Sequence, residues 1–294
     1  MSESLVGISA AVLATISWSL APITIKHGIK ATTDLISVTG IRAFTAFLVL
    51  LPLTIFRIGE YLPTNYELTL ILITGVLIGV SDIFYMEAIK RLGSWKAILI
   101  AYQYILIAQI LAYLILDEVN GIYATLFTPI ALFGIFIALR GSSNNGKSIS
   151  IKLLLIAYMP AVLWGIATVI SRYLTYSVDA VLIASFRSLF IAFIFIPVGF
   201  KKLTSLTTLG RRGFTYVLLS GFFTHVGGFL VFLYALRSVG TFISTLVNSM
   251  GPLITQLLSR KLSGEELSIR HVVGASITVG SVVLTLVLSS LNII

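Results

Sequence analysis

The sequence is duplicated, and this internal repeat restricts the possible folds more than any other feature. In the first half, five residues punctuate two neighbouring apolar stretches: Trp18, Lys26, Asp34, Arg42 and Pro52. Residues of the same kinds recur 145 or 146 positions later: Trp164, Arg172, Asp179, Arg187 and Pro197. We therefore expect two structurally related halves. They are a first repeat at 1–140, a linker rich in Gly, Ser and Asn at 141–150, and a second repeat at 151–294.

Long apolar stretches predict that both repeats lie in lipid. Apolar residues make up 57% of the 294 residues and charged residues 11%, with a mean hydropathy of +1.05, which is typical of membrane proteins. A bilayer core about 30 Å thick is crossed by roughly 20 apolar residues in a helix. This predicts an all-α integral membrane protein with ten transmembrane segments: 5–25, 34–56, 68–89, 95–116, 121–139, 152–172, 178–200, 213–236, 241–260 and 270–290.

The basic residues predict how these segments are oriented. Fifteen of the 20 lysines and arginines lie in alternate gaps, beginning with the gap between the first and second segments. We expect a cell-membrane protein, and the positive-inside rule predicts that both of its termini lie outside. Because each repeat has an odd number of segments, the second repeat must enter the membrane in the opposite direction. Inverted repeats around a central cavity are typical of carriers.

Signals for catalysis, metal binding and nucleic-acid binding are absent from the sequence. His27, His225 and His271 lie in no metalloprotease motif, and the chain has no P-loop and no cysteine. The net charge of +9 comes from basic residues dispersed between apolar stretches, which form no contiguous patch for nucleic acid. We therefore expect neither an enzyme nor a bound metal or cofactor.

Polar side chains inside the apolar segments need a partner in protein or water. Tyr102, Gln109 and Tyr113 share one face of the fourth segment, and the ninth segment keeps Ser249 and Gln256 at the same seven-residue spacing. Such a stripe either bonds neighbouring helices together or lines a cavity for a substrate.

Each repeat also carries a tryptophan and an arginine within an apolar segment. Trp18 and Trp164 each lie near a proline, and either pack within the bundle or line a cavity. Arg42 and Arg187 have either a structural role, extending toward lipid headgroups, or contact an anionic group of a substrate.

Two ionisable residues are candidates for proton coupling. Asp82 is the one carboxylate well inside a predicted segment, where it needs a partner, water or a proton. His225 falls near the middle of the eighth segment, and histidine exchanges protons readily near neutral pH. The alternative for each is a satisfied contact with a neighbouring helix.

These features resemble the EamA family of the drug/metabolite transporter superfamily. The resemblance is carried by the doubled ten-segment plan, by the paired tryptophans and arginines, and by two further pairs: the junctions 88–93 and 235–240, and Glu118 with Glu265. It implies a secondary transporter that moves a small organic metabolite such as an amino acid, usually outward and with proton coupling. The implied substrate-binding residues are Trp18, Tyr85, Tyr102, Gln109, Trp164, Asn248, Ser249 and Gln256, beside Asp82 and His225.

Two other functions stay open at this point. An exchanger of phosphorylated or nucleotide-linked sugars would need basic residues in the cavity, and only Arg42 and Arg187 could serve. A passive channel is a second alternative, although inverted repeats suit alternation better than a fixed pore. The expected partners are a small-molecule substrate, the lipid bilayer and protons, for a protein that is a monomer or a homodimer.

Overall fold

The computed structural model describes residues 2–118, 150–264 and 268–290, together with residues 126, 127, 130, 133, 134 and 137. The first repeat contains α1 (Ser2–Gly28), α2 (Leu35–Ile58), α3 (Asn65–Leu92), α4 (Ser94–Ala101) and α5 (Tyr104–Leu116). The second begins with α6 (Ile151–Leu174), α7 (Ala180–Gly199), a 3₁₀ segment (Phe200–Leu209) and α8 (Gly210–Gly221). It continues with a π-helical segment (Phe222–Leu230), α9 (Val231–Asn248), α10 (Gly251–Ser263) and α11 (Ile269–Ser290). The predicted segment 121–139 lies mostly outside the described residues, as does nearly all of the predicted linker.

The described helices have the lengths and surfaces of a multi-pass membrane protein. Seven stretches are long and apolar enough to cross a membrane: Leu5–Gly28, Leu35–Ile58, Asn65–Leu92, Ser94–Leu116, Ile151–Leu174, Ala180–Lys202 and Leu206–Thr245. Large apolar residues lie on the outside, among them Phe56 and Phe193, which are 77% and 76% exposed. A surface of this kind is stable in lipid and not in water. The prediction of an all-helical membrane protein is therefore confirmed, whereas the prediction of ten transmembrane helices is not.

An aspartate begins the second helix of each repeat. The Asp34 carboxylate accepts a hydrogen bond from the Ser37 N–H at 2.9 Å, and the Asp179 carboxylate accepts one from the Val181 N–H at 2.9 Å. A side-chain oxygen at this position satisfies an N–H group that the first helical turn leaves free. The repeated aspartates therefore place the arginines of both repeats about two turns into α2 and α7.

The duplication is also visible where the backbone departs from helical geometry. Gly93 and Gly240 have φ angles of 87° and 77°, and Asp117 and Gly264 have φ angles of 54° and 61°. The members of each pair are 147 positions apart. Glycine adopts positive φ without a steric penalty, and aspartate does so more easily than most residues. The same departures from helical geometry therefore recur at equivalent positions of both repeats.

The predicted fourth and ninth segments are not continuous helices, because they are interrupted at 102–103 and 249–250. Gly251 and Pro252 explain the second interruption, since proline lacks the N–H that would continue a helix. No glycine or proline marks the first one. A Cβ atom on Gly251 would lie 2.5 to 2.7 Å from atoms of the Tyr102 side chain, so the two interruptions lie directly against each other.

Helix packing follows the duplication as well. The helices α2 and α7, which are equivalents, pack against each other. α1 packs against the run from α8 to α9, and α6 packs correspondingly against α3. Exchange of the two repeats leaves this set of contacts unchanged, as expected for halves related by a pseudo-twofold axis.

Candidate functional site

A cavity lies between the two repeats, next to the place where the interrupted helices meet. It contains about 730 Å³ of space not filled by protein atoms, counting the part open to solvent. Most of its larger side chains are aromatic: Trp18, Tyr85, Tyr102, Tyr104, Trp164, Phe229 and Phe232. Its charged side chains are Arg42, Asp82 and Arg187.

The aromatic residues contact one another along the walls. The Tyr85 and Trp164 rings meet edge to face with their centres 5.0 Å apart, and the Trp18 and Phe232 ring centres are 4.9 Å apart. Tyr104 extends the first group, with its ring centre 6.0 Å from that of Trp164. Contacts of this kind hold large side chains in fixed positions and present flat apolar surfaces to a ligand.

One wall of the cavity contains a buried ion pair. Arg42 Nη1 of α2 lies 2.8 Å from Asp82 Oδ2 of α3, and the two side chains are only 3% and 2% exposed. Arg42 Nη2 also donates to Thr224 Oγ1 at 2.5 Å, which joins the first repeat to the π-helical segment of the second. Because an isolated buried charge is very costly, each partner stabilises the ionised form of the other. Arg42 therefore does not extend toward lipid headgroups.

Arg187 occupies the equivalent position in the second repeat and forms no salt bridge with the described residues, although the charge of Asp82 also acts on it. The carbon at the centre of its guanidinium group lies 3.0 Å from the centre of the Phe229 ring, and Nη2 is 3.5 Å from Nδ1 of His225. Arg187 Nε is buried without a hydrogen-bond partner. Phe229 stands 147 positions after Asp82, so an aromatic ring replaces the carboxylate in the second repeat.

The charged groups of the cavity do not balance. His225 is fully buried and its Nε2 lies 3.8 Å from Asp82 Oδ2, a carboxylate that Arg42 already neutralises. His225 contributes no negative charge to the balance, because an imidazole is either neutral or cationic. Two arginines and one aspartate then leave the wall with one uncompensated positive charge.

The π-helical segment that carries Thr224 and His225 is fastened to α1. Trp18 Nε1 donates a hydrogen bond to the Thr224 carbonyl oxygen at 2.9 Å. This approach requires a glycine at position 228, because a Cβ atom on Gly228 would overlap the indole nitrogen of Trp18. π-helical geometry shifts the backbone hydrogen bonds by one residue and is frequent at functional sites.

The structure divides the predicted site residues into two groups. Four of the eight predicted substrate-binding residues line the cavity: Trp18, Tyr85, Tyr102 and Trp164. The other four are buried outside the described lining: Gln109, Asn248, Ser249 and Gln256. Gln109 Nε2 donates to Thr245 Oγ1 at 2.9 Å, and Asn248 Oδ1 accepts from the Tyr102 hydroxyl at 3.3 Å. Gln109 thus makes the contact between helices that the sequence left as the alternative to cavity lining, and Asn248 makes such a contact as well.

Sequence reasoning missed Tyr104, Thr224 and Phe229. In a continuous helix Tyr104 would point about 200° away from Tyr102, and the interruption at 102–103 brings the two rings to 5.6 Å. Phe229 has a signal in the repeat, because it stands at the position of Asp82, opposite an arginine that is kept. Thr224 had no signal beyond its position next to His225.

Comparisons with known proteins agree with this architecture. The model of the EamA-like transporter family matches residues 5–140 and 151–287, which is one match in each repeat. A crystal structure of another protein shares the fold, with a TM-score of 0.70 and 19% identity over 99% of this chain and 98% of that chain. A search of curated proteins found no match. The family match covers both repeats and confirms the resemblance seen in the sequence, so the chain belongs to the EamA-like transporter family of membrane transporters.

Proposed function

We propose that the protein is a secondary transporter that exports a small organic metabolite by alternating access. The observation that carries this proposal is the cavity at the meeting point of two interrupted helices, one from each repeat. Two repeats of the same fold can exchange conformations, and the cavity then opens to one side of the membrane and afterwards to the other. Aromatic walls with a few charged groups suit a small organic solute.

The hydrogen bonds of Thr224 are specific contacts that would break and re-form during the proposed transport cycle. Its hydroxyl accepts from Arg42 of α2 and its carbonyl accepts from Trp18 of α1, so it joins the two repeats at the cavity wall. In our proposal the repeats move as inverted units, and these hydrogen bonds are made in only one of the two conformations. Substrate binding shifts the equilibrium through its different contacts in each conformation.

Uptake into proteoliposomes tests the transport function. The purified protein would be reconstituted and offered a panel of radiolabelled amino acids and organic acids, with and without a proton gradient. We expect saturable uptake of at least one solute, inhibited by an excess of the same unlabelled solute. Electrical recording on the same membranes separates a channel, which passes far more ions per second than a carrier can turn over.

Asp82 and His225 are the proposed sites of proton coupling, and Asp82→Asn tests the first of them. Asparagine keeps an oxygen that accepts from Arg42 but cannot exchange a proton. We therefore expect folded protein whose transport no longer depends on a pH gradient. Glu87→Gln is the matched control, because Glu87 lies in the same helix but outside the cavity lining. Its Oε1 atom lies 2.6 Å from Arg91 Nε. Unchanged gradient dependence in Asp82→Asn would remove Asp82 from the coupling role.

A second candidate is the exchanger of phosphorylated or nucleotide-linked sugars, and the two arginines in the cavity wall are the observation that favours it. Asp82 weakens this candidate, since it neutralises Arg42 and leaves one net charge. A phosphate monoester carries about −1.5 to −2 at neutral pH. The charges present therefore fit a ligand with a single negative charge better.

The proposed orientation, with both termini outside, is testable because the chain contains no cysteine. Single cysteines at two exposed loop positions, Thr32→Cys and Leu62→Cys, would be treated with a membrane-impermeant maleimide in intact cells. The distribution of basic residues predicts labelling at Leu62→Cys in intact cells and at Thr32→Cys only after permeabilisation. The opposite pattern would show that the orientation is reversed.

A further inference from the structure

We infer that the cavity selects organic monocarboxylates, with the carboxylate bound by Arg187 and an apolar, preferably aromatic body lying between the ring-lined walls. This inference rests on the proposed function and specifies its substrate class. The observation behind it is a difference between the repeats. In the first repeat Asp82 contacts Arg42, whereas in the second repeat Phe229 contacts Arg187.

Arg187 has the unfilled hydrogen-bonding capacity that such a ligand requires. A guanidinium group has five N–H donors and keeps its charge under all ordinary conditions. The partner that the described residues offer Arg187 is His225 at 3.5 Å, which is longer than a normal hydrogen bond, and its Nε has no partner. Arg187 is only 2% exposed, and a buried donor without a partner is costly. A carboxylate accepts two parallel N–H bonds from one guanidinium and so provides the missing partner.

The charges of the cavity side chains indicate a ligand with a single negative charge. With Arg42 paired to Asp82, one monoanion makes the cavity neutral, whereas a dianion leaves one excess negative charge. The ammonium group of a zwitterion such as an amino acid would have to share Asp82 with Arg42. Uncompensated charge is costly in a buried site, so a monocarboxylate without an ammonium group is favoured.

The walls specify the remainder of the ligand. Phe229 covers one side of the Arg187 guanidinium, and the ring of Trp164 meets that of Tyr85 in the cavity wall. Flat apolar surfaces of this kind favour an aromatic body, which gains area by stacking and by edge-to-face contacts. The favoured ligand therefore has one carboxylate at one end and a ring at the other.

Four compounds with the same phenyl body test the charge requirement: 3-phenylpropanoate, 3-phenylpropanamide, phenylalanine and phenyl phosphate. Binding to the purified protein would be measured by calorimetry in detergent. We expect 3-phenylpropanoate to bind roughly 10- to 100-fold more tightly than its amide, because a hydrogen bond to a charged group is worth more than a neutral one. Phenylalanine and phenyl phosphate should also bind more weakly. Equal affinities for the acid and its amide would overturn the inference.

Phe229→Asp tests the role of this difference between the repeats, because it gives Arg187 the counter-ion that Arg42 already has. We expect this variant to lose the preference for 3-phenylpropanoate over the amide. Phe229→Leu is the matched variant, which removes the ring without adding charge. It should weaken both ligands and keep the preference for the acid. Arg187→Gln should also abolish the preference for the acid, in this case by removing the positive charge. A preference for the acid that survives in both Phe229→Asp and Arg187→Gln would contradict the inference.

Transport assays separate this inference from the proposed function. If 3-phenylpropanoate binds with the expected preference but no solute is taken up by proteoliposomes, the transport function fails and the carboxylate site stands. If amino acids or neutral solutes are transported without any preference for carboxylates, the inference fails and the transport function stands.

Discussion

Asp82→Leu is expected to lower the free energy of unfolding by about 3–5 kcal/mol, the usual effect of removing one partner of a buried ion pair. Arg42 is the reason, because it cannot give up its proton and, being only 2% exposed, would remain as a buried unpaired charge. Arg42→Met should have a smaller effect, since the remaining Asp82 can neutralise itself by binding a proton. The double variant Arg42→Met/Asp82→Leu should recover most of the loss, because two apolar side chains of similar size leave no buried charge.

Unfolding of the four proteins in mixed micelles, followed by circular dichroism, gives the double-mutant cycle. The coupling between Arg42 and Asp82 should be large, because the two side chains touch at 2.8 Å. Asp82→Asn serves as an intermediate case that keeps the accepting oxygen and loses the charge. Effects of the two single variants that simply add in the double variant would show that the pair is not the source of the stability.

Gly221→Ala should destabilise the protein by about 1–3 kcal/mol, as overpacking of a close contact does. A Cβ atom on Gly221 would lie 2.6 Å from the carbonyl oxygen and 2.9 Å from the Cα atom of Arg42. Both are backbone atoms, so neither can move aside by a change of rotamer. The start of the π-helical segment must instead move away from α2, which pulls Thr224 from Arg42. We therefore expect lost transport together with lower stability.

Gly280→Ala is the matched control, because a Cβ atom on Gly280 would meet no atom within 4 Å. This glycine lies within α11, where alanine favours the helix by up to about 1 kcal/mol. The same substitution should therefore lower the unfolding temperature at 221 and leave it unchanged or raise it at 280. Equal effects at the two sites would show that closeness to Arg42 does not set the stability.

Helix positions were predicted well where a local signal exists. The aspartates that begin α2 and α7 act through their own neighbours at 2.9 Å, so the sequence alone identifies these helix starts. The interruption at 249–250 also has a local signal in the sequence, namely Gly251 and Pro252. The one at 102–103 does not, because no glycine or proline marks it; there the structure shows a contact between the repeats, the Tyr102 side chain packed on Gly251.

The site was predicted in part, for the same reason. A polar residue in an apolar segment must find a partner, and this requirement singled out Asp82, Arg42, Arg187 and His225. It could not tell which of them pair, because each could reach several neighbours once the helices pack. Gln109 of the predicted stripe found its partner outside the cavity lining, because its amide donates a hydrogen bond to Thr245.

The sequence by itself determined that this protein resides in lipid, that it consists of two related repeats, and where several helices begin. These properties follow from apolar length, from duplication and from hydrogen bonds to near neighbours, all of which are local. Only the tertiary structure decided that Arg42 takes Asp82 while Arg187 faces Phe229 and keeps an unbalanced charge. That choice depends on which helix faces of the two repeats meet, and packing between residues distant in the sequence sets it.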